Sequence, residues 1–336
     1  MIGKGLAVLY ALLSDNLGLI FKGGYDWFFY VIIEEVILGF EIHTLLGFCT
    51  PLKGKRLDCM IKLIATDMDG TFLDGQGSFD KERFSIILNQ LDQKNIPFVI
   101  ASGNGMGRLL QLCKGFEDRL IFVADNGAHV YQNGKTLIRR TILQEETKAI
   151  LDFFSGQWAD VCLMLSNEEN IYMQVGANMP FAGTDLPIEP AQMAAFQNRV
   201  KYLENLSTYP TTDPIYKVGL WVPENRVDQL TERFNQAFQG RLVAVTSGYG
   251  SIDILPHGIH KAWGLEQVLN SLGIDPEHVI AFGDSDNDIE LLSYVGYSYA
   301  MENATDKVKA VAKYLAPHHS QAGVFRVIEN YIGKEE

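Results

Sequence analysis

The sequence predicts an α/β fold in which a parallel sheet is interrupted by a second, α+β segment. Three observations predict it. From Met60 onward, short apolar runs alternate with stretches of helical periodicity, the pattern of successive βαβ units. Between about Thr141 and Ser251 that alternation gives way to helices and short strands of antiparallel type, and after Ile252 it resumes. The middle block therefore reads as an insertion.

The first strand, Ile61–Thr66, ends at Asp67-Met68-Asp69-Gly70-Thr71. A helix follows, because Phe84, Ile87, Leu88 and Leu91 recur on one face, and Asn95 and Pro97 close it. The second strand, Pro97–Ala101, ends at Ser102-Gly103-Asn104-Gly105, and the third, Leu120–Ala124, ends at Asp125-Asn126-Gly127. Carboxyl ends of parallel strands lie on one edge of a sheet, so a ligand site is expected there. Tyr131 to Thr136 reads as a hairpin turning at Asn133-Gly134.

In the inserted block, Val161–Leu165, Ile171–Val175 and Tyr216–Val222 are the strand candidates. After it, a helix from Lys261 places Trp263, Leu265, Val268, Leu269 and Leu272 inward and stops at Gly273. The strand Val279–Phe282 then runs into Gly283-Asp284-Ser285-Asp286-Asn287-Asp288. A strand near Tyr297–Met301, a helix from about Thr305 to Tyr314 and a final helix from Gly323 complete the chain. The expected division is 1–59 as an N-terminal extension, 60–143 with 252–336 as the parallel-sheet core, and 144–251 as the insertion.

The 336 residues are 47% hydrophobic and 21% charged, which suits a globular protein of one large or two medium domains. A formal net charge of −13 argues against a broad nucleic-acid surface and leaves room for a local basic pocket. Cys49, Cys59, Cys113 and Cys162 form no CxxC pair, which points to reduced thiols in a cytoplasmic protein. Apolar stretches at Leu6–Leu13 and Trp27–Phe40 are broken by Ser14-Asp15-Asn16 and Glu34-Glu35, short of the ~18 to 20 residues of a span. No stable membrane insertion is expected, and Lys4 makes a weak basic region for a signal peptide. Met60 stands just before the first strand, so residues 1–59 read as an extension from an upstream start, a peripheral helical arm or a membrane-surface segment.

The strand-end residues carry chemistry. Phosphoryl transfer needs a nucleophile, charge compensation, donors for the phosphate oxygens and a proton donor for the leaving oxygen. Asp67 and Asp69 can divide nucleophile and acid work, Ser102 can donate, Lys261 can neutralise, and Asp284 with Asp288 supplies further carboxylates. Acidic groups gathered at one edge repel unless a cation sits among them, and hard oxygen ligands suit Mg²⁺.

These motifs, in this order, resemble those of the haloacid dehalogenase superfamily, with Asp67-Met68-Asp69-Gly70-Thr71, Ser102-Gly103, Lys261 and Gly283 to Asp288 as the four matching segments. The insertion between the second and third is similar to the large α/β cap of the Cof-type sugar-phosphatase branch. The resemblance covers about Met60 to Gly333 and implies a Rossmann-like core. It implies that Asp67 forms an aspartyl-phosphate and that Asp69 is the acid and base. Mg²⁺ would be held by the Asp67 carboxylate, the Asp69 backbone carbonyl and Asp284, supported by Asp288 and Asn287. Thr71 would orient Asp69, Ser102 and the Gly103 amide would bind phosphate ahead of a helix, and Asn126 would line the pocket.

The sequence departs from the family where Arg often follows Ser-Gly: Asn104 stands there, with Arg108 one helical turn later. A competing pattern, Gly103-Asn104-Gly105-Met106-Gly107 with Asp125 at the next strand end, imitates a dinucleotide-binding turn, but its third glycine falls one position early. His257 and His260 precede the motif lysine, and His318 and His319 read as loop residues. Lys217, Trp221 and Ser247–Ser251 are candidates for selecting the leaving group or for a cap strand and hinge. The expected activity is Mg²⁺-dependent hydrolysis of a small phosphorylated metabolite such as a sugar phosphate, with no oligomeric state specified. A phosphomutase using the same nucleophile and a non-catalytic phospho-ligand sensor are the alternatives.

Overall fold

Apolar runs buried on both faces cannot alternate, and β1 (Leu63–Thr66), β2 (Phe98–Ala101) and β3 (Leu120–Ala124) are buried at every position. They belong to a computed structural model that describes residues 61–167, 169–178, 180 and 190–333. The reading of residues 1–59 lies outside these. A hairpin follows as β4 (His129–Gln132) and β5 (Lys135–Arg139), turning at Asn133 and Gly134 with φ of 50° and 74°. Both residues at positive φ is what a tight hairpin with native twist requires, and Asn-Gly supplies it at low cost.

The chain next forms β6 (Met164–Ser166), β7 (Ile171–Gln174), β8 (Val200–Leu203), β9 (Lys217–Trp221), β10 (Leu242–Thr246) and β11 (Ser251–Pro256). It ends with β12 (Val279–Gly283), β13 (Tyr297–Met301) and β14 (Tyr314–Ala316). Among the described residues these make two sheets, ordered β14-β13-β12-β1-β2-β3-β4-β5 and β10-β11-β9-β6-β7-β8. The first is parallel from β14 to β3, with the hairpin added antiparallel at one edge.

From β1 the chain builds outward to β2 and β3, and from β12 it builds the other way to β13 and β14. The point of reversal, where open α/β sheets bind ligands, lies between β1 and β12. Thr66 pairs with Phe282, so Asp67 and the loop entered at Gly283 emerge side by side.

Each sheet has its own apolar core. The helix Lys81–Gln93 buries Phe84, Ile87, Leu88 and Leu91, as its periodicity predicts, and Asp80 caps it by accepting from the Arg83 amide at 2.9 Å. Phe84 meets Phe72 edge to face at 5.0 Å, which adds quadrupole attraction to about 2–3 kcal/mol of transfer energy.

Four expectations change. The strand expected over Val161–Leu165 is instead Met164–Ser166, because Val161 and Cys162 lie in a turn with Cys162 at a φ of 47°. The helix Lys261–Leu272 turns Lys261, Leu265, Val268 and Leu269 inward, whereas Leu272 is exposed and Trp263 half-buried beneath the Arg140 guanidinium. The helix expected to reach Tyr314 ends at Val311, because Ala312 is extended and Tyr314 enters β14, where its ring stacks on Tyr299 at 5.0 Å. Finally β11 pairs with β9 and β10, so the chain returns towards the first sheet after Pro256 rather than at 252. No helix among the described residues is long and apolar enough to cross a membrane.

Candidate active site

Asp67 leaves β1 with its amide donating to the Phe282 carbonyl at 3.0 Å, which places its side chain beside the β12 loop. The turn that follows depends on Gly70. Its φ is 74°, and a Cβ there would lie 2.5 Å from an Asp284 carboxylate oxygen, so both conformation and space exclude a side chain. Gly283 is equally constrained, since its Cβ would meet Asp288 at 2.5 Å. Gly70 lets the β1 loop approach the β12 loop, and Gly283 lets the β12 loop fold Asp288 back against its own start.

Lys261 opens its helix and is wholly buried. Its ammonium donates to Asp67 Oδ1 at 2.7 Å and Asp288 Oδ1 at 2.6 Å, so it is neither exposed nor incidental. Asp288 is committed further: its other oxygen accepts from the amides of Asp284 at 2.9 Å and Ser285 at 3.1 Å. One lysine thus crosslinks β1, β12 and the helix between.

Asp67, Asp284 and Asp288 bring carboxylate oxygens within 4.8 Å of one another. Three carboxylates face one ammonium, and the imbalance raises the proton affinities of Asp67 and Asp284. Burial pushes Asp67 well above the ordinary carboxylate range despite Lys261, with Asp288 and Asp284 adding to the rise. Burial and the Asp288 charge push Asp284 up to about 7. Burial alone would depress the Lys261 ammonium, but Asp288 and Asp67 outweigh it and hold it above the usual lysine value. A buried set of hard oxygen donors with uncompensated charge fits a divalent cation.

Thr71 does not orient Asp69 as expected; its hydroxyl donates to Asp284 Oδ1 at 2.6 Å. The turn carries Thr71 back under the β12 loop, where Asp284 is the acceptor within reach. Asp69 is held instead by Asn104 Nδ2 at 2.5 Å and Arg108 Nη2 at 2.8 Å. Asn104 also donates to Ser102 Oγ at 3.0 Å, tying Asp69 to the end of β2. The two residues that depart from the family pattern therefore converge on one carboxylate.

Ser102 is buried, and the helix beyond it, Met106–Leu112, starts three residues after Gly103 with Gly105 as its cap. The Gly103 carbonyl accepts from Lys217 Nζ at 2.6 Å, and Lys217 also pairs with Asp253 at 3.0 Å. Asp253 accepts from Asn126 Nδ2 at 2.7 Å, and Asn126 Oδ1 accepts from Asn287 Nδ2 at 2.9 Å. Asp125 and Asn126 adopt φ of 50° and 53°, a left-handed pair that Asp and Asn tolerate and that often marks a site. This relay joins β9 and β11 of the second sheet to three strand ends of the first. Asp253 was not anticipated, although a single acid between Ile252 and Ile254 in a buried strand was the signal.

His260 caps the Lys261 helix by accepting from the Trp263 amide at 3.1 Å, and His319 bonds the Leu73 carbonyl at 2.8 Å, so both are structural. Trp221 donates to the Tyr249 carbonyl at 3.0 Å, bracing the loop Ser247–Ser251. Cys113 and Cys162 are free and buried, and burial pushes both thiols up to about 12. Asp67, Asp69, Ser102, Asn104, Lys217 and Asn287 border one cavity of about 790 Å³ between the strand ends and the second sheet.

A parallel sheet with a lysine-bridged carboxylate cluster at its reversal point, roofed by an inserted sheet, defines a capped α/β hydrolase of phosphoryl-transfer type. Residues 64–328 match the haloacid dehalogenase-like hydrolase family, and the chain belongs to it as a phosphatase. It is 34% identical over 278 residues to the 5-amino-6-(5-phospho-D-ribitylamino)uracil phosphatase YbjI of Escherichia coli (strain K12), covering 82% of this chain and 97% of that protein. It is 25% identical over 280 residues to the Bacillus subtilis (strain 168) phosphatase YcsE of the same description, covering 83% and 98%. Among solved structures, SMU.1108c from Streptococcus mutans UA159 superposes with a TM-score of 0.72 at 34% identity, covering 81% of this chain and 99% of that one.

Proposed function

We propose that this protein hydrolyses small phosphate monoesters with Mg²⁺ as cofactor and Asp67 as nucleophile. The observation that carries the reading is the Lys261 ammonium bridging Asp67 and Asp288 beside Asp284. Lys261 engages Asp67 Oδ1 and favours the charged form, which a nucleophile requires, leaving the second oxygen to attack phosphorus. The ester oxygen departs with a proton from Asp69, giving a mixed anhydride on Asp67. Water then attacks that phosphorus, returns the proton to Asp69 and releases phosphate, regenerating the Asp67 carboxylate.

Ser102 and the Gly103 amide supply donors to phosphate oxygens, and Asn104 keeps Ser102 and Asp69 in fixed relation. Asp67, the Asp69 backbone carbonyl and Asp284 would hold Mg²⁺, with Asp288 and Asn287 behind them, and its charge would offset that of the phosphoryl group. Thr71 acts through Asp284.

Two relatives are named for a phosphorylated ribityl compound, which supports a sugar- or polyol-phosphate as substrate. The free buried thiols support a cytoplasmic setting. The test is release of inorganic phosphate from a panel of sugar, polyol and nucleoside monophosphates, with and without Mg²⁺. The expected result is Mg²⁺-dependent release that Asp67→Asn abolishes while the circular dichroism spectrum is retained. Undiminished turnover in that variant removes Asp67 as nucleophile, and isomerised ester without free phosphate replaces the hydrolase with a mutase.

A further inference from the structure

The cavity has a second polar end, away from the carboxylate cluster, and its groups are arranged around Arg139 at the end of β5. The Arg139 guanidinium lies 3.8 Å from the centre of the Tyr216 ring, close enough for a flat stacked contact. Its Nη1 donates to His129 Nδ1 at 2.8 Å, while the opposite ring nitrogen of His129 lies 2.9 Å from Thr136 Oγ1. His129 is buried and neutral: burial, then the Arg139 charge, lowers its pKa to about 4. A neutral imidazole accepts from Arg139 without sharing or cancelling its charge. The nearest carboxylate, Asp125, is 4.0 Å from Nη2, beyond a hydrogen bond. Arg139 Nε is buried and has no hydrogen-bond partner among the described residues.

These contacts fix the guanidinium plane and leave donor capacity unspent, although a buried N–H without an acceptor is destabilising. Arg139, His129, Thr136 and Tyr216 all border the cavity. At about 790 Å³, it falls in the range of about 300–1,000 Å³ typical of drug-sized ligands, more than a bare pentose phosphate occupies.

The geometry points to Arg139, seated on Tyr216 and braced by His129, as a specificity-determining residue that hydrogen-bonds a planar, carbonyl-bearing ring on the leaving group. The substrate is then two-ended: a phosphate monoester at the carboxylate cluster, a sugar-like linker, and a flat acceptor-rich ring at Arg139. This rests on the phosphatase reading above and deepens it. Guanidinium N–H groups ask for acceptors, and a rigid cation stacked on an aromatic face favours a flat partner over a floppy one.

The experiment compares flavin mononucleotide, a ribityl phosphate carrying a planar dione ring, with ribose 5-phosphate, which lacks the ring. Wild-type protein should have the higher kcat/KM on flavin mononucleotide. Arg139→Met should lower that value by about 10- to 100-fold, mainly through KM, the size expected for losing a hydrogen bond from a charged donor. Ribose 5-phosphate turnover should stay within about threefold of wild type. Arg139→Lys, which keeps charge but not the plane, should recover little, and Tyr216→Leu should repeat the selective loss if Arg139→Met does not fold. A binding arm uses Asp67→Asn protein, in which flavin mononucleotide fluorescence should report about tenfold weaker binding once Arg139→Met is added. No preference for the ring-bearing ester, or equal losses on both esters, overturns the subsite and leaves the phosphatase reading intact. No phosphate from any ester, with binding unaffected by Arg139→Met, overturns both.

Discussion

The two ends of the cavity are built on opposite plans. At the carboxylate end, Asp67, Asp288 and Lys261 hold one another across three chain segments, and each is anchored by a strand end or a helix start. At the Arg139 end, residues come from a hairpin and from Tyr216, just before β9, and one N–H group has no partner among the described residues. The difference teaches where each kind of task resides. A reacting group must be held to a fraction of an ångström, which interlocked charges achieve. A recognition group needs donors in reserve for a ligand.

Removing the keystone of the first end should have the largest effect. Lys261→Met leaves Asp67 and Asp288 buried without their shared cation, and breaking such a network costs about 3–5 kcal/mol. Thermal unfolding should show a large drop in Tm in chelator, partly recovered by Mg²⁺, with turnover lost as well. An unchanged Tm would mean that the carboxylates are not crosslinked as described.

The pH dependence of stability is the next contrast. Asp284 is pushed up to about 7 from an ordinary value near 3.8, so between those limits the folded, metal-free protein binds more protons than the unfolded chain. Stability from this group is therefore complete below about pH 4 and is lost as pH rises through about 7. In chelator, Tm should fall across that window; saturating Mg²⁺ should flatten the fall by favouring the charged carboxylates. A Tm that falls as much in Asp284→Asn as in wild type would remove Asp284 as the source of the fall.

The smallest effect belongs to the relay between the ends. Lys217→Ala removes the donor to the Gly103 carbonyl and the partner of Asp253, and should lower kcat/KM by about tenfold on every ester, with or without a ring. That uniform loss distinguishes it from Arg139→Met. If Lys217→Ala were instead selective for ring-bearing esters, the relay and the recognition end would be one functional unit.

Much of the reactive end was legible in the sequence. Asp67, Ser102 and Asp284 each follow a buried apolar run at a polar, glycine-containing turn, and parallel strands bring such ends to one edge. Local pattern determines a strand and where it stops, and thus those positions. Even there the partner of Thr71 was misassigned, because which carboxylate it meets depends on how the turn around Gly70 folds against the β12 loop. Local pattern also failed at Tyr314, which pairs with Tyr299 in the ladder between β13 and β14 instead of continuing the helix.

What the sequence by itself determined, then, was the parallel core, its order of elements and the acidic chemistry at its edge. The physical reason is that burial on both faces and strand-end turns leave a periodic, local trace. Only the tertiary structure decided that Asn104 and Arg108 converge on Asp69, that Asp253 answers Lys217, and that Arg139 rests on Tyr216. Those contacts join residues far apart along the chain, brought together by neighbouring strand ends, by strand pairing within the second sheet or, for Arg139 and Tyr216, by the approach of the hairpin to the segment leading into β9. The choice of partner there is set by distance and desolvation, which no spacing along the chain records.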